Sequence, residues 1–290
     1  MNYYNADTII WFHGAFVKAH DAMTDLYGQT LHYGYGVFEG IRSYHTADET
    51  RIFKAHEHYE RLRFSAHSIG IPLLHTADEM TALTYEVLKK NALTNAYIRP
   101  IVVCPPNMSL SNAREAMLAI TAWEWNDGYL HNNMRVMTSS YCRPNPRGFK
   151  VEAKVCGHYV NSILACQEAK SAGYDEALVL DEHGFVAEGP GANIFYERDG
   201  ILFTPPKGNI LPGITRATIL ELCKAYQIEV REEHFTPDTM YQADAIFYCG
   251  TAAEVVAIAE LDGYTVRKEW QDTQSAILQR AYKQRVLLPS

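Results

Sequence analysis

The stretch AKVCGHYVNS, Ala153 to Ser162, sets a single basic side chain, Lys154, among small uncharged neighbours: Ala153, Val155, Cys156 and Gly157. A lysine kept away from water yields its free base more readily than a solvated one, and the free amine is the nucleophile. A lysine that merely snorkels from the start of a helix would look the same at this range. The text on either side therefore has to decide what Lys154 does.

C-terminal to the lysine, the spacing predicts a helix from about His158 to Ser171, stopped by Gly173. Short strands follow at Ala177 to Leu180, Phe185 to Glu188, Asn193 to Tyr196 and Ile201 to Thr204, with turns at His183-Gly184 and Asp199-Gly200. This meander puts Glu188 at a strand end, where the bend Gly189-Pro190-Gly191 makes room for a ligand. The bend is too short for a dinucleotide fingerprint. LPGITR (Leu211 to Arg216) then opens a helix whose first N–H groups, at Ile214 and Thr215, would face an anion. GTAAE (Gly250 to Glu254), after a strand Ala245 to Cys249, supplies a second tight turn with a hydroxyl at Thr251.

N-terminal to the lysine, RPNPRG (Arg143 to Gly148) carries two prolines and a glycine, and the domain boundary is placed there. This gives an N-terminal domain 1–141, a linker 142–149 and a C-terminal domain 150–290. The first half reads as α+β. A hairpin spans Ile9 to Val17 with a turn at His13-Gly14, and strand-like text flanks Ala47-Asp48. A helix is expected from about His56 to Ile69, with Tyr59, Leu62, Ala66 and Ile69 inward and Arg61 on another face. Thr76 and Glu79 form a capping-box signature before a helix reaching Asn91. Strands are expected at Ala96 to Val103, Met117 to Trp123 and Arg135 to Ser140. On a strand, Tyr97 and Arg99 share a face.

Composition bounds the function. Over 290 residues the chain is 47% hydrophobic and 21% charged, with a formal charge of −8. The acidic balance argues against nucleic acid as partner, and no apolar run reaches the roughly 18 residues of a membrane span. A cytoplasmic protein is expected. Six cysteines without a C-x-x-C pair fit reduced thiols. His56 and His58 would point apart on a helix, so no metal site is expected there.

The order of these segments, together with HYGYGVFEGIR (His32 to Arg42), Arg61-Leu62 and YIRP (Tyr97 to Pro100), resembles the branched-chain amino-acid aminotransferases of pyridoxal-phosphate fold type IV. The resemblance spans nearly the whole chain. It implies a two-domain α+β fold: a smaller N-terminal α/β sandwich and a larger C-terminal pseudo-barrel. It also implies pyridoxal 5′-phosphate as cofactor and transamination of leucine, isoleucine and valine with 2-oxoglutarate by a homodimer.

Residue by residue, it implies that Lys154 holds the cofactor aldehyde and moves the substrate Cα proton. Glu188 faces the pyridine nitrogen, with Asn193 and Leu211 beside it, and Tyr159 faces the phenolic oxygen. Arg61, Ile214, Thr215 and Thr251 hold the phosphate. Tyr97 with the N–H groups of Thr251 and Ala252 takes the α-carboxylate, while Phe38, Trp125 and Tyr129 line the side-chain pocket. Arg99, helped by Tyr33, takes the distal carboxylate of glutamate. Neighbouring activities in the fold are D-amino-acid transaminase and aminodeoxychorismate lyase. Tyr97-Ile98-Arg99 argues against the former, whose relatives carry an arginine–histidine pair in this strand. A cofactor-binding protein without turnover is a reading of another class. The chain departs from the family at Glu152, Val155, Cys156, His158 and the loop 104–115, which bears on substrate range.

Overall fold

The computed structural model describes residues 3–125 and 130–288. The chain forms two compact units, Met1–Asp127 with Ala153–His158, and Gly128–Glu152 with Tyr159–Ser290. The prolines and glycine at 144–148 had suggested a linker. Instead, the strand before them joins the second unit's sheet, and the lysine segment after them returns to the first unit.

In the first unit the strands are β1 (Ile9–Phe12), β2 (Ala15–Lys18), β3 (Val37–Phe38), β4 (Ile41–His45), β5 (Thr50–Ile52), β6 (Ala96–Val103) and β7 (Met117–Glu124). They form one sheet in the order β2-β1-β7-β6-β4-β5, with β3 paired to β6. His13 and Gly14 make the first hairpin turn with positive φ, as their text predicts. Helices α1 (Gln29–Tyr33), α2 (Ala55–Ser68) and α3 (Ala77–Lys90) complete the unit. Thr76 and Glu79 close the expected capping box on α3.

Period-2 alternation on β6 divides its work. Ala96, Ile98 and Val102 enter the core with Tyr59, Leu62 and Ala66 of α2 and Met80 and Val87 of α3, so Tyr97 and Arg99 project from the other face. Beside the apolar stripe of α2 runs a polar one, His58, Arg61 and Ser65, at helical spacing. Ser65 Oγ accepts the Lys154 N–H at 2.9 Å. The lysine segment is irregular, with Val155 N–H donating back to the Ala153 carbonyl at 3.0 Å. Phe38 N–H donates to the Lys154 carbonyl at 3.2 Å, Cys156 N–H to Gly36 at 2.9 Å, and Gly157 N–H to Gly34 at 3.1 Å. Gly34 has φ +63°, and a Cβ on it would lie 2.6 Å from the Gly157 Cα, so only glycine lets the two chains approach.

In the second unit the strands are β8 (Met134–Cys142), β9 (Glu176–Leu180), β10 (Val186–Glu188), β11 (Asn193–Arg198), β12 (Ile201–Thr204), β13 (Val230–Glu232), β14 (Ala245–Gly250), β15 (Glu254–Leu261) and β16 (Tyr264–Thr265). Their order is β10-β9-β8-β15-β14-β11-β12-β13, with β16 on β15. Parallel pairs β8/β9 and β12/β13 are bridged by α4 (Tyr159–Ser171) and α5 (Ile214–Ala225), as parallel neighbours require a crossover. A 3₁₀ turn, Cys156–His158, precedes α4. The short α6 (Pro237–Met240) follows β13. The core gathers Val136, Leu178, Ile194, Tyr196, Phe203, Ile246, Tyr248 and Val256.

The longest of the elements that the sequence reading does not anticipate is α7 (Gln274–Leu287), which buries Leu278, Tyr282 and Val286. The buried Glu197 carboxylate anchors its start, accepting Ser275 N–H and Oγ–H at 2.8 Å each and Gln274 N–H at 3.1 Å.

Candidate active site

In the first unit the expected residues meet around one aromatic ring. The Lys154 ammonium lies 5.0 Å and the Arg99 guanidinium 4.8 Å from the Phe38 ring centroid, cation–π distances that seat both cations on the same apolar surface. Arg99 donates to the Tyr97 hydroxyl at 3.3 Å. Its Nε has no hydrogen-bond partner among the described residues. The Tyr97 ring packs against Trp123 and Trp125 at 5.2 and 4.9 Å, and Trp125 is buried. Gly40 belongs to this arrangement because a Cβ there would meet the Tyr97 hydroxyl at 2.0 Å.

Arg61 is not a lone cation awaiting an anion. Its Nε and Nη2 donate to Glu39 at 2.6 and 2.9 Å, a fork on one carboxylate. His58 Nδ1 meets the same carboxylate at 2.8 Å. Burial alone would raise the Glu39 carboxyl, but the Arg61 charge and the bonds from His58 and Arg61 overcome it and hold it well below the usual range. Burial drives His58 below its usual value of 6.5, against the pull of Glu39. Glu39 lies within HYGYGVFEGIR, where nothing local marks a glutamate as buried. Tyr33 stands apart in its bonding: it is half exposed and donates to the Met108 carbonyl at 3.1 Å. Tyr129 lies outside the described residues.

In the second unit the three glycine-bearing segments converge. Glu188 ends β10 and accepts the Asn193 amide at 2.9 Å and the Leu211 main-chain N–H at 3.2 Å. Asn193 also donates to the Leu211 carbonyl at 3.0 Å. Arg143, read from sequence as part of a linker, pairs with Glu188 at 3.0 Å. Asn193 lies opposite Cys249 in the β11/β14 register, which brings the turn at Thr251 and Ala252 alongside. A Cβ on Gly250 would touch the Gly191 carbonyl at 3.4 Å. Helix α5 starts at Ile214 after Gly213 with no side-chain cap, so the N–H groups of its first turn, at Ile214 and the buried Thr215, are set for an external acceptor. Tyr159 opens α4.

Each unit carries part of what a phosphorylated pyridine aldehyde needs: the first an amine on an apolar ring, the second a carboxylate anchored by three donors and a helix start that no side chain caps. Comparison with known proteins agrees. The model of the amino-transferase class IV family matches residues 36–261. The branched-chain-amino-acid aminotransferase of Pseudomonas aeruginosa is 40% identical over 288 residues, 97% of this chain and 94% of that protein. That of Escherichia coli K12 is 38% identical over 268 residues, 89% of this chain and 86% of its own. The crystal structure of the branched-chain aminotransferase of Thermoproteus uzoniensis with norvaline superposes with a TM-score of 0.93 at 36% identity, covering 97% of this chain and 95% of that one. The enzyme of Thermobaculum terrenum in its PLP holo-form gives 0.89 at 29%, covering 97% and 94%. Lysine, acid and anion turns thus occur in family order within a matched fold, and the chain belongs to the class IV aminotransferases, fold type IV.

Proposed function

We propose that this protein is a branched-chain-amino-acid transaminase. It moves the amino group of leucine, isoleucine or valine to 2-oxoglutarate with pyridoxal 5′-phosphate as cofactor. The observation that carries this is the pairing on Phe38: an amine for the chemistry and a guanidinium that has no carboxylate partner among the described residues, both against aromatic carbon. One pocket then offers apolar rings to a branched side chain and a cation to the distal carboxylate of glutamate, whose unpaired burial would be prohibitive.

When bound, the cofactor supplies an aldehyde for the amine and a ring that accepts the electron pair left at the substrate Cα. Lys154 would hold the aldehyde carbon and accept the substrate Cα proton. Glu188, fixed by Asn193, Leu211 and Arg143, would keep the pyridine nitrogen protonated. Tyr159 would hydrogen-bond the phenolic oxygen. Arg61, Ile214, Thr215 and Thr251 would hold the phosphate. Tyr97 and the N–H groups of Thr251 and Ala252 orient the α-carboxylate, and Phe38 and Trp125 exclude water from the side chain.

Among the described residues no helix is long and apolar enough to cross a membrane. We place the enzyme in the cytoplasm as a homodimer. The exposed apolar side chains Leu31, Tyr33, Met108 and Leu110 of the first unit are offered as part of the self-contact, which sedimentation would check. A spectral half-reaction screen against L-branched, D- and aromatic amino acids tests the activity. Cofactor trapped by borohydride without amino transfer from any of them would sink it.

A further inference from the structure

Glu39 is wholly buried and none of the steps above employs it. Its Oε1 takes Arg61 Nε–H at 2.6 Å, and its Oε2 takes Nη2–H at 2.9 Å and the Gly40 N–H at 3.2 Å. An ionised carboxylate only accepts, so the His58 nitrogen 2.8 Å away, Nδ1, carries the proton. The fork occupies the side-on edge of the guanidinium and fixes its plane. With the plane fixed, the direction of the end-on edge is fixed too. His58 and Arg61 sit one helical turn apart on α2, so one carboxylate fastens both.

From this geometry we propose that Glu39 is a positioning residue for the cofactor phosphate, acting through Arg61, with His58 locking the carboxylate in place. The inference rests on the reading of Arg61 as a phosphate ligand. Two effects oppose each other when Glu39 loses its charge. A less compensated Arg61 attracts a dianion more strongly, whereas a flexible side chain released from its fork loses its aim. A glutamine offers one acceptor where the fork and the histidine present three donors, so release dominates.

The test uses the full chain freed of cofactor and compares its affinity for pyridoxal phosphate with that for pyridoxal, which lacks the phosphate. Glu39→Gln is expected to lower the ratio of the two affinities about 10- to 100-fold, the range commanded by partners that orient metal ligands. Pyridoxal affinity should stay near wild type. A merely structural role would weaken both equally. His58→Asn should lower the ratio in the same direction, and it decides the matter if Glu39→Gln shows no cooperative melt. If Arg61→Met lowers the ratio while Glu39→Gln and His58→Asn leave or raise it, Glu39 is only a counter-ion and the inference falls. If Arg61→Met itself leaves the ratio unchanged, the phosphate reading of Arg61 fails first.

Discussion

The two units prepare for charge in different ways. In the first, side chains hold side chains: Glu39 fastens Arg61 and His58, and Phe38 carries Lys154 and Arg99. In the second, much of the work falls to main-chain N–H groups at turns, with Leu211 donating to Glu188 and α5 starting without a side-chain cap. A main-chain donor survives every substitution except proline and is otherwise spoiled by added bulk. A side-chain donor can be deleted at one position. Substitutions should therefore abolish function in the first unit by removal and in the second by crowding.

The largest expected effect is at Lys154. Its main-chain N–H and carbonyl make the bonds to Ser65 and Phe38, so Lys154→Ala removes the amine and keeps those bonds. Turnover should fall by several powers of ten with an unchanged melting temperature, read by steady-state assay and calorimetry. Retained turnover would overturn the assignment. Next is Arg99→Met. Removing one partner of a buried ion pair costs about 3–5 kcal/mol, so the half-reaction with glutamate should slow by between about two and nearly four powers of ten. The leucine half-reaction should be largely spared. A parallel loss in stopped-flow traces with both amino acids would reduce Arg99 to a structural role.

The same contrast explains what the sequence reveals. Turns that need glycine advertise themselves, so Glu188-Gly-Pro-Gly-Ala-Asn193, Leu211-Pro-Gly-Ile-Thr-Arg216 and Gly250-Thr-Ala-Ala-Glu254 are legible, and the structure gathers them. Alternation likewise puts Tyr97 and Arg99 on one face of β6. The pairing of Glu39 with Arg61 spans 22 positions and depends on tertiary packing that no local pattern encodes. Arg143 was hidden for a related reason: the prolines beside it suggested a boundary, yet β8 pairs in parallel with β9 and β15, which draws Arg143 to Glu188. Helix α7 lacks a clear apolar stripe because its buried positions include Ser275, Ala276 and Ala281.

Acid should find the first unit through the same buried pair. Folding lowers His58 from 6.5 and Glu39 from 4.5, so the unfolded chain binds more protons in both windows. Stability is then full above pH 6.5 and declines as pH falls, with a second decline below 4.5 that continues towards the depressed Glu39 value. Each pH unit of separation is worth about 1.4 kcal/mol. Glu79, Glu168 and Asp244 are lowered as well, so Glu39→Gln should reduce the lower slope in urea melts across pH, and an unaltered slope would remove Glu39 from the account. Smaller still is Gly213→Ala, the crowding counterpart. Its Cβ would lie 1.9 Å from Asn193 Oδ1, which overpacks a filled site at about 1–3 kcal/mol. Because Asn193 holds Glu188, cofactor affinity should fall with stability. Intact affinity would show that Asn193 can move without disturbing the acid.

The smallest effect separates two helix starts. Helix α3 opens with its own cap: Thr76 Oγ1 accepts the Glu79 N–H at 3.2 Å, and the Glu79 carboxylate accepts the Thr76 N–H at 2.8 Å. Helix α5 opens on Gly213 with no side-chain cap, so its donors suit an anion. Thr76→Ala should therefore cost about 1 kcal/mol, a fall in melting temperature of about 2–4 °C, and leave both half-reactions untouched. Inorganic phosphate should raise the melting temperature of the cofactor-free protein, as any ligand of the folded state does. The rise should be the same in wild type and Thr76→Ala, because the first-turn donors of α3 are already satisfied from within. A larger rise in the variant would mean that phosphate fills the vacated cap of α3, and the division between a self-capped helix and a ligand-capped one would fail.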